Sequence, residues 1–256
     1  CWGTALFGAD YSETFLSFEL LWEPSECVTP ENVEEFNGHQ AGGALAFIDE
    51  VGLLVSHGDY RSRTKAQDNR SDFGKLLSWS SEEDQSVVAS GLRNPQSVVF
   101  DSKSRNLWIV DQGPSGGDEL NLMQLRDSGG VNFGWPISSY GEHYDGQSRL
   151  DSPLYKSHSQ YGFREPLWHW TPSVGISSLS LAPIDWKADV VVGTMGHNNA
   201  LGARSISIFS LDSETEQVSL VDIVGLGERV RSMIVLDGSR LMISVDSGGI
   251  VIVERS

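Results

Sequence analysis

A two-strand unit recurs along this chain and constrains its fold more than any other feature. An apolar strand ends on a turn residue, a turn of three to seven residues follows, and a second apolar strand begins. Leu45-Ala46-Phe47-Ile48-Asp49 leads to Leu53-Leu54-Val55, and Val98-Val99-Phe100-Asp101 leads to Leu107-Trp108-Ile109-Val110. Ile234-Val235-Leu236-Asp237 leads to Leu241-Met242-Ile243-Ser244-Val245, and a looser copy runs from Leu179–Ala182 to Val190-Val191-Val192. In the three tight copies the second strand enters a polar turn with glycine: Ser56-His57-Gly58-Asp59, Asp111-Gln112-Gly113 and Asp246-Ser247-Gly248-Gly249. Asp49 and Asp101 stand 52 residues apart, close to the ~40–50 residues of a propeller blade. The pattern predicts an all-β chain of four-stranded blades arranged radially. A β-sandwich is the other arrangement of regular short strands, but it does not demand the same two-strand unit with the same turn.

Composition supports a packed domain and narrows its partners. Of 256 residues 39% are hydrophobic, with 27 Gly and 4 Met, which is ample for a core and unlike a coiled coil or a disordered chain. The formal charge of −17 repels phosphate backbones and anionic lipid, so nucleic acid and membrane surfaces are disfavoured. No stretch approaches the ~18 apolar residues that span a bilayer, which predicts a soluble protein. Cys1 and Cys27 can form one disulfide, which the sequence does not require, and they make no C-x-x-C pattern. Beginning at Cys1 without Met or signal peptide, the chain reads as a processed product, a lipoprotein-type mature end or a fragment.

The repeat is interrupted between Gly134 and Glu165, and residues 137–165 are expected to form an inserted loop of the kind that lines sites on rigid scaffolds. Thr29 as N-cap with Pro30 at the first helical position predicts one helical turn. H-E-x-x-H, G-x-S-x-G and Walker motifs are missing, which disfavours a zincin, an α/β-hydrolase and a P-loop nucleotidase.

Three segments follow one another in order: Arg93-Asn94-Pro95-Gln96, then Gly113-Pro114-Ser115-Gly116-Gly117-Asp118-Glu119-Leu120-Asn121-Leu122, then Asn132-Phe133-Gly134-Trp135-Pro136. Together they closely resemble the soluble pyrroloquinoline quinone (PQQ)-dependent aldose sugar dehydrogenases of the glucose/sorbosone dehydrogenase family, which are six-bladed β-propellers. His39-Gln40-Ala41-Gly42-Gly43 resembles the segment of the family's catalytic histidine, Trp170-Thr171-Pro172-Ser173 its W-x-P-S turn, and Arg229-Val230-Arg231 its R-x-R pair. The resemblance runs from about Gly3 to the C-terminus. About one further blade precedes this point in the family, so the chain reads as a single propeller domain over 1–256, N-terminally short, with about five blades recognisable.

The resemblance implies an oxidoreductase that takes two electrons from an aldose at its anomeric hydroxyl, with PQQ and Ca²⁺, and passes them to an external acceptor in the periplasm or outside the cell. PQQ is a flat tricarboxylate, which guanidinium groups match well; Arg93, Arg229 and Arg231 are the expected partners, with Asn94, Gln112, Trp170 and Ser173 around them. The backbone carbonyls of Gly113 and Pro114 are the implied ligands of the calcium beside the quinone. Glu119 and the main chain of Phe133 are the implied structural calcium ligands. His39 is the implied base. A non-catalytic binding propeller of the same superfamily that has lost the cofactor is the alternative. Departures stand at Gly38, where some family members carry an aspartate, and at Thr194-Met195-Gly196-His197, which lacks a lysine. His57, His143, His158, His169 and His197 show no partner pattern.

Overall fold

The structure is a computed structural model that describes residues 1–11, 14–29, 38–81, 84–196 and 201–255. Among these residues the regular structure is strand, with four short 3-10 turns and no α-helix. The helical turn expected from Pro30, and His197, lie outside the described residues.

Five sheets follow in chain order. A two-stranded sheet pairs β1 (Leu6–Gly8) with β2 (Glu19–Trp22). The second is an antiparallel meander of β3 (Gly42–Ile48), β4 (Gly52–His57), β5 (Lys75–Ser81) and β6 (Asp84–Ser90). The third contains β7 (Pro95–Asp101), β8 (Asn106–Asp111) and β9 (Asp118–Gln124). The chain then adds β10 (Val131–Asn132) parallel to the edge of β6, and returns as β11 (Trp168–Trp170) on the edge of β9. The fourth sheet is β12 (Ile176–Leu181), β13 (Val190–Thr194), β14 (Ser205–Asp212) and β15 (Gln217–Gly225). The fifth is β16 (Val230–Val235), β17 (Arg240–Val245) and β18 (Ile250–Glu254).

The four copies of the sequence repeat are the first two strands of the second to fifth sheets. Their first strands β3, β7, β12 and β16 pack on one another in succession, so the sheets stack in series rather than as the two layers of a sandwich. Period-two alternation divides the inner strands β8 and β13 between two cores. On β8, Leu107 and Ile109 pack with Leu54, Leu76 and Val98, whereas Trp108 and Val110 pack with Ile176 and Val190. On β13, Val190 and Val192 join that second core, and Val191 joins Ile208, Leu241 and Ile243 in a third. A sheet covered on both faces needs apolar residues at every position, which is why Leu107–Val110 and Val190–Val192 are unbroken apolar runs. The outer faces of the series leave Leu45 and Phe47 of β3, and Ile234, Ile250 and Ile252 of β16 and β18, exposed.

The N-terminal segment is pinned by a Cys1–Cys27 disulfide and by backbone pairing of Trp2 with Val28. Thr4 docks it onto the second sheet, its N–H donating to His57 Nε2 (3.1 Å) and its hydroxyl to the Ala41 carbonyl (2.7 Å). Residues 137–165 cross between β10 and β11 with a single 3-10 turn, Ser159–Tyr161.

Candidate active site

In each antiparallel sheet the entry to the first strand and the exit of the second lie at the same end. Gly42 pairs with His57, Pro95 with Asp111, Ile176 with Thr194 and Val230 with Val245. Because the sheets stack through their first strands, the polar turns that follow the second strands collect along one edge. The third sheet supplies the centre. Asp111 is fully buried at the end of β8 and accepts the backbone N–H groups of Arg93 (2.8 Å) and Asn94 (2.6 Å), fixing the turn before β7. The Asn94 amide donates to Gln112 Oε1 (2.8 Å), and Gln112 donates to the Ile176 carbonyl (2.6 Å), tying the third sheet to the fourth.

Asp118 fastens the next turn. It accepts from Gly113 N–H (3.1 Å), the Ser173 hydroxyl (3.1 Å), Val174 N–H (3.1 Å) and Gly175 N–H (2.8 Å). The turn is too close for side chains, since a Cβ on Gly113 would meet the Gly117 carbonyl at 2.1 Å.

Arg93 is 5% exposed and its guanidinium stands over the rings of Trp135 (5.3 Å) and Tyr144 (6.0 Å), an electrostatically favourable stacking. Its Nη1 donates to the carbonyls of Gln112 (2.8 Å) and Gly113 (2.7 Å). The Gln40 amide sits between Arg93 and Asp59, accepting from Arg93 Nη2 at 2.8 Å and donating to Asp59 at 2.6 Å in the orientation that satisfies both. Asp59 is buried and also accepts from Trp135 Nε1 (2.7 Å). Burial pushes its carboxyl above the ordinary range, against the pull of Arg93, of the Arg61 backbone N–H and of Trp135. Behind Arg93, Asp111 and Glu119 face each other across β8 and β9. Burial first, and Glu119 second, push Asp111 up to about 8.

In front of Arg93 is a cavity of about 60 Å³ lined by Gln40, Arg61, Arg63, Arg93, Arg149, Trp135 and Tyr144, with Pro114, His143 and Asp145. Four guanidinium groups and two aromatic faces converge there in a chain of net charge −17. The inserted loop closes it, and the loop's own Asp145 pairs with Arg149 (2.6 Å).

The Glucose / Sorbosone dehydrogenase family model matches residues 17–253. The chain belongs to the glucose/sorbosone dehydrogenase family. An aldose sugar dehydrogenase of Escherichia coli, YliI, is 25% identical over 214 residues, covering 77% of this chain and 54% of that protein. An uncharacterised protein of Synechocystis is 28% identical over 226 residues, covering 77% and 51%. The chain thus spans about half the length of the curated relatives it matches. In fold it is similar to the soluble aldose sugar dehydrogenase of E. coli in the apo-form (TM-score 0.79, 22% identity, 99% of this chain and 74% of that one). It is also similar to the PQQ-bound aldose sugar dehydrogenase of Streptomyces coelicolor (TM-score 0.69, 19% identity, 98% and 71%).

Of the residues expected for this family, the structure clusters Arg93, Asn94, Gln112, Gly113, Pro114 and Ser173 around the turns of the third sheet, and the others stand outside that cluster. Arg229 and Arg231 are not among the residues lining the Arg93 cavity; both pair with Asp246, at 3.2 and 2.6 Å, and reach Met195 Sδ. Trp170 points into the core, edge-on to Phe209 at 5.8 Å, and only its carbonyl meets the site, accepting from Gly117 N–H. His39 is exposed at the cavity's rim with Nδ1 3.4 Å from Arg61 Nη2, while its neighbour Gln40 faces inward.

The implied calcium ligands are engaged by protein donors. The Gly113 carbonyl accepts from Arg93 and the Pro114 carbonyl from Ser173 (3.3 Å). His158 Nδ1 donates to the Phe133 carbonyl (2.8 Å) and its Nε2 faces Glu119 Oε1 at 3.3 Å. Burial opposes charge on His158, but Glu119 outweighs it and the imidazole's pKa is raised. Among the described residues no group of three or more His, Cys, Asp or Glu is placed to hold a metal ion.

Arg61, Arg63 and Arg149, which line the cavity, and His158 escaped the sequence reading because their neighbours are remote in sequence. One signal was available for two of them: Arg61 and Arg63 directly follow the Ser56–Asp59 turn of the repeat.

Proposed function

We propose that this chain oxidises an aldose at its anomeric hydroxyl with PQQ as the bound cofactor, on the family's six-bladed β-propeller scaffold, of which the second to fifth sheets are blades. The observation that carries this reading is the convergence of Arg61, Arg63, Arg93 and Arg149 with the faces of Trp135 and Tyr144 in one cavity of an acidic chain. Convergent guanidinium groups match carboxylates, and aromatic walls match a flat ring system. The donor set therefore fits the cofactor. The volume does not in this state, because ligand pockets run to roughly 300 Å³ or more. Loading requires the Tyr144–Arg149 rim of the inserted loop to lift.

When bound, PQQ supplies the two-electron acceptor. The arginines would hold its carboxylates, with Arg93 oriented by the Gln112 and Gly113 carbonyls. Asn94, Gln112 and Ser173 are positioning residues, each hydrogen-bonded into the turns that carry the cavity wall. His39, at the mouth beside Arg61, takes the proton of the anomeric hydroxyl. An external acceptor would take up the two electrons and complete the turnover. A periplasmic or secreted location accords with the Cys1–Cys27 disulfide, since such bonds persist in oxidising compartments.

The test is titration of the chain with PQQ, followed by absorbance, and then addition of xylose or glucose with an artificial acceptor dye. Stoichiometric binding and sugar-dependent dye reduction are expected. Arg93→Ala should weaken binding by roughly tenfold or more, and His39→Ala should abolish turnover while binding persists. A folded chain that binds no PQQ refutes the reading. Binding without turnover points instead to a binding propeller.

A further inference from the structure

Lys75 is a fully buried cation that takes no part in the proposed chemistry. It opens β5, and its ammonium donates to three backbone carbonyls, those of Lys65, Ala66 and Phe73, each at 2.9 Å. These carbonyls belong to the two limbs of one loop, residues 58–74, which joins β4 to β5 and contains a single 3-10 turn, Arg63–Gln67. Burial lowers the Lys75 pKa to about 8, against the pull of Asp68, Asp72 and Glu26, so the group is charged at neutral pH. A buried charge is costly unless its hydrogen bonds are made. Here main-chain oxygens make all three, much as a loop folds around a bound cation.

The gathered loop supplies one side of the arginine cavity. Arg61 and Arg63 line it, and Asp59 holds both the Gln40 amide and the Trp135 indole. The path from the ammonium to that wall is short. Ala66, whose carbonyl faces Lys75, packs with Trp135 and Leu154 in a small core of its own. Its neighbour Gln67 donates to the Trp135 carbonyl (2.6 Å) and exchanges hydrogen bonds with the Asn132 amide (3.1 and 2.7 Å). Gly74 permits the close approach of the limbs: its φ is +69°, and a Cβ there would meet the Ala66 Cβ at 2.5 Å.

We infer that Lys75 is a positioning residue for the cavity: its ammonium is an internal cation around which the 58–74 loop folds, and that fold fixes Arg61, Arg63 and the Trp135 wall where they meet an anionic ligand. The anionic ligand rests on the function proposed above, whereas the folding of the loop around the ammonium stands without it.

Lys75→Met keeps the stem and removes the three donors. Hydrogen exchange of the full chain without PQQ at pH 7, read by mass spectrometry, should be roughly tenfold faster or more in residues 59–73 and unchanged in β8 and β13. PQQ titration should show binding weakened roughly tenfold, because the arginines are no longer held in place beforehand. Val191→Ala, a core change in β13 away from the loop, should leave both loop exchange and PQQ affinity at the parent values, which separates positioning from a plain loss of stability. Gln67→Ala cuts the loop from Trp135 with the ammonium in place; it should speed exchange in the loop and weaken PQQ severalfold, and it decides the matter if Lys75→Met does not fold. Parent-like exchange in residues 59–73, or exchange raised equally in β8 and β13, would overturn the inference, as would parent-like PQQ affinity in either loop variant. A parent chain that binds no PQQ refutes the proposed function instead, and loop exchange then decides the role of Lys75.

Discussion

Removing the Asp118 carboxylate should destabilise this protein more than any change in the cavity it supports. The side chain is 2% exposed and joins two turns distant in sequence, Gly113–Pro114 and Ser173–Ile176. Asp118→Ala leaves the N–H groups of Gly113, Val174, Gly175 and Ile176 without this acceptor. The Ser173 hydroxyl keeps the Pro114 carbonyl within 3.3 Å. Each stranded buried donor costs about 1–3 kcal/mol. The lower part of that range applies, because burial already pushes the Asp118 carboxyl above its ordinary range and deleting it relieves a buried charge. Four donors, the Ile176 one long at 3.4 Å, then give a loss of about 4–5 kcal/mol, a large part of the ~5–15 kcal/mol that stabilises a domain. Asp118→Asn retains one acceptor oxygen for Val174 and Gly175 and turns an amide group toward Gly113, for a loss of about 2 kcal/mol. Urea unfolding followed by tryptophan fluorescence measures both. An Asp118→Ala protein within about 1 kcal/mol of the parent would refute the view that this carboxylate holds the site's turns.

Two further outcomes are expected. Burial depresses His57 to about 4, its Nδ1 held by the Asp72 carbonyl and its Nε2 by Thr4 N–H; the unfolded chain therefore binds the extra proton first, and about 3 kcal/mol of stability present above pH 6.5 is lost as the pH falls to 4. His57→Gln should flatten the stability profile across that window, and an unchanged slope would exclude His57 as its source. Opening the disulfide, which spans 26 residues, should cost about 3 kcal/mol by loop-closure entropy; equal urea midpoints for the parent and the Cys1→Ser, Cys27→Ser protein would show that the N-terminal sheet is not coupled to global unfolding.

The order of the sheets, and the proximity of Arg93-Asn94 to Asp111-Gln112-Gly113, were both legible in the sequence. Unbroken apolar runs such as Leu107–Val110 fit strands covered on both faces, and their return with the same turn marks the first two strands of successive sheets. Arg93-Asn94 and Asp111-Gln112-Gly113 flank one such pair, so local hydrogen bonding across β7 and β8 brings them together without help from the rest of the chain. The edges of the sheets were not legible. Short strands such as β10 and β11 carry no periodic signal, and their pairing with β6 and β9 is decided by where a loop of some thirty residues returns.

Tertiary structure also decided which candidate residues meet. Arg93 and the Arg229–Arg231 pair look equivalent in sequence, yet the latter share the Asp246 carboxylate just after β17, while the former meets Arg61, Arg63 and Arg149 from other segments. Trp170 lies in a site-like motif, but the twist of β11 onto β9 turns its ring into the core beside Phe209. A one-residue step at His39-Gln40 exchanges rim and interior. His158 has no neighbours in sequence that announce it, and only the fold of the inserted loop brings it between Glu119 and Phe133. Sequence alone determines what depends on neighbouring residues: strand periodicity, turn chemistry and the pairing of adjacent strands. The direction in which a side chain points, and the charge it finds there, depend on contacts between distant segments, and those exist only once the sheets have stacked.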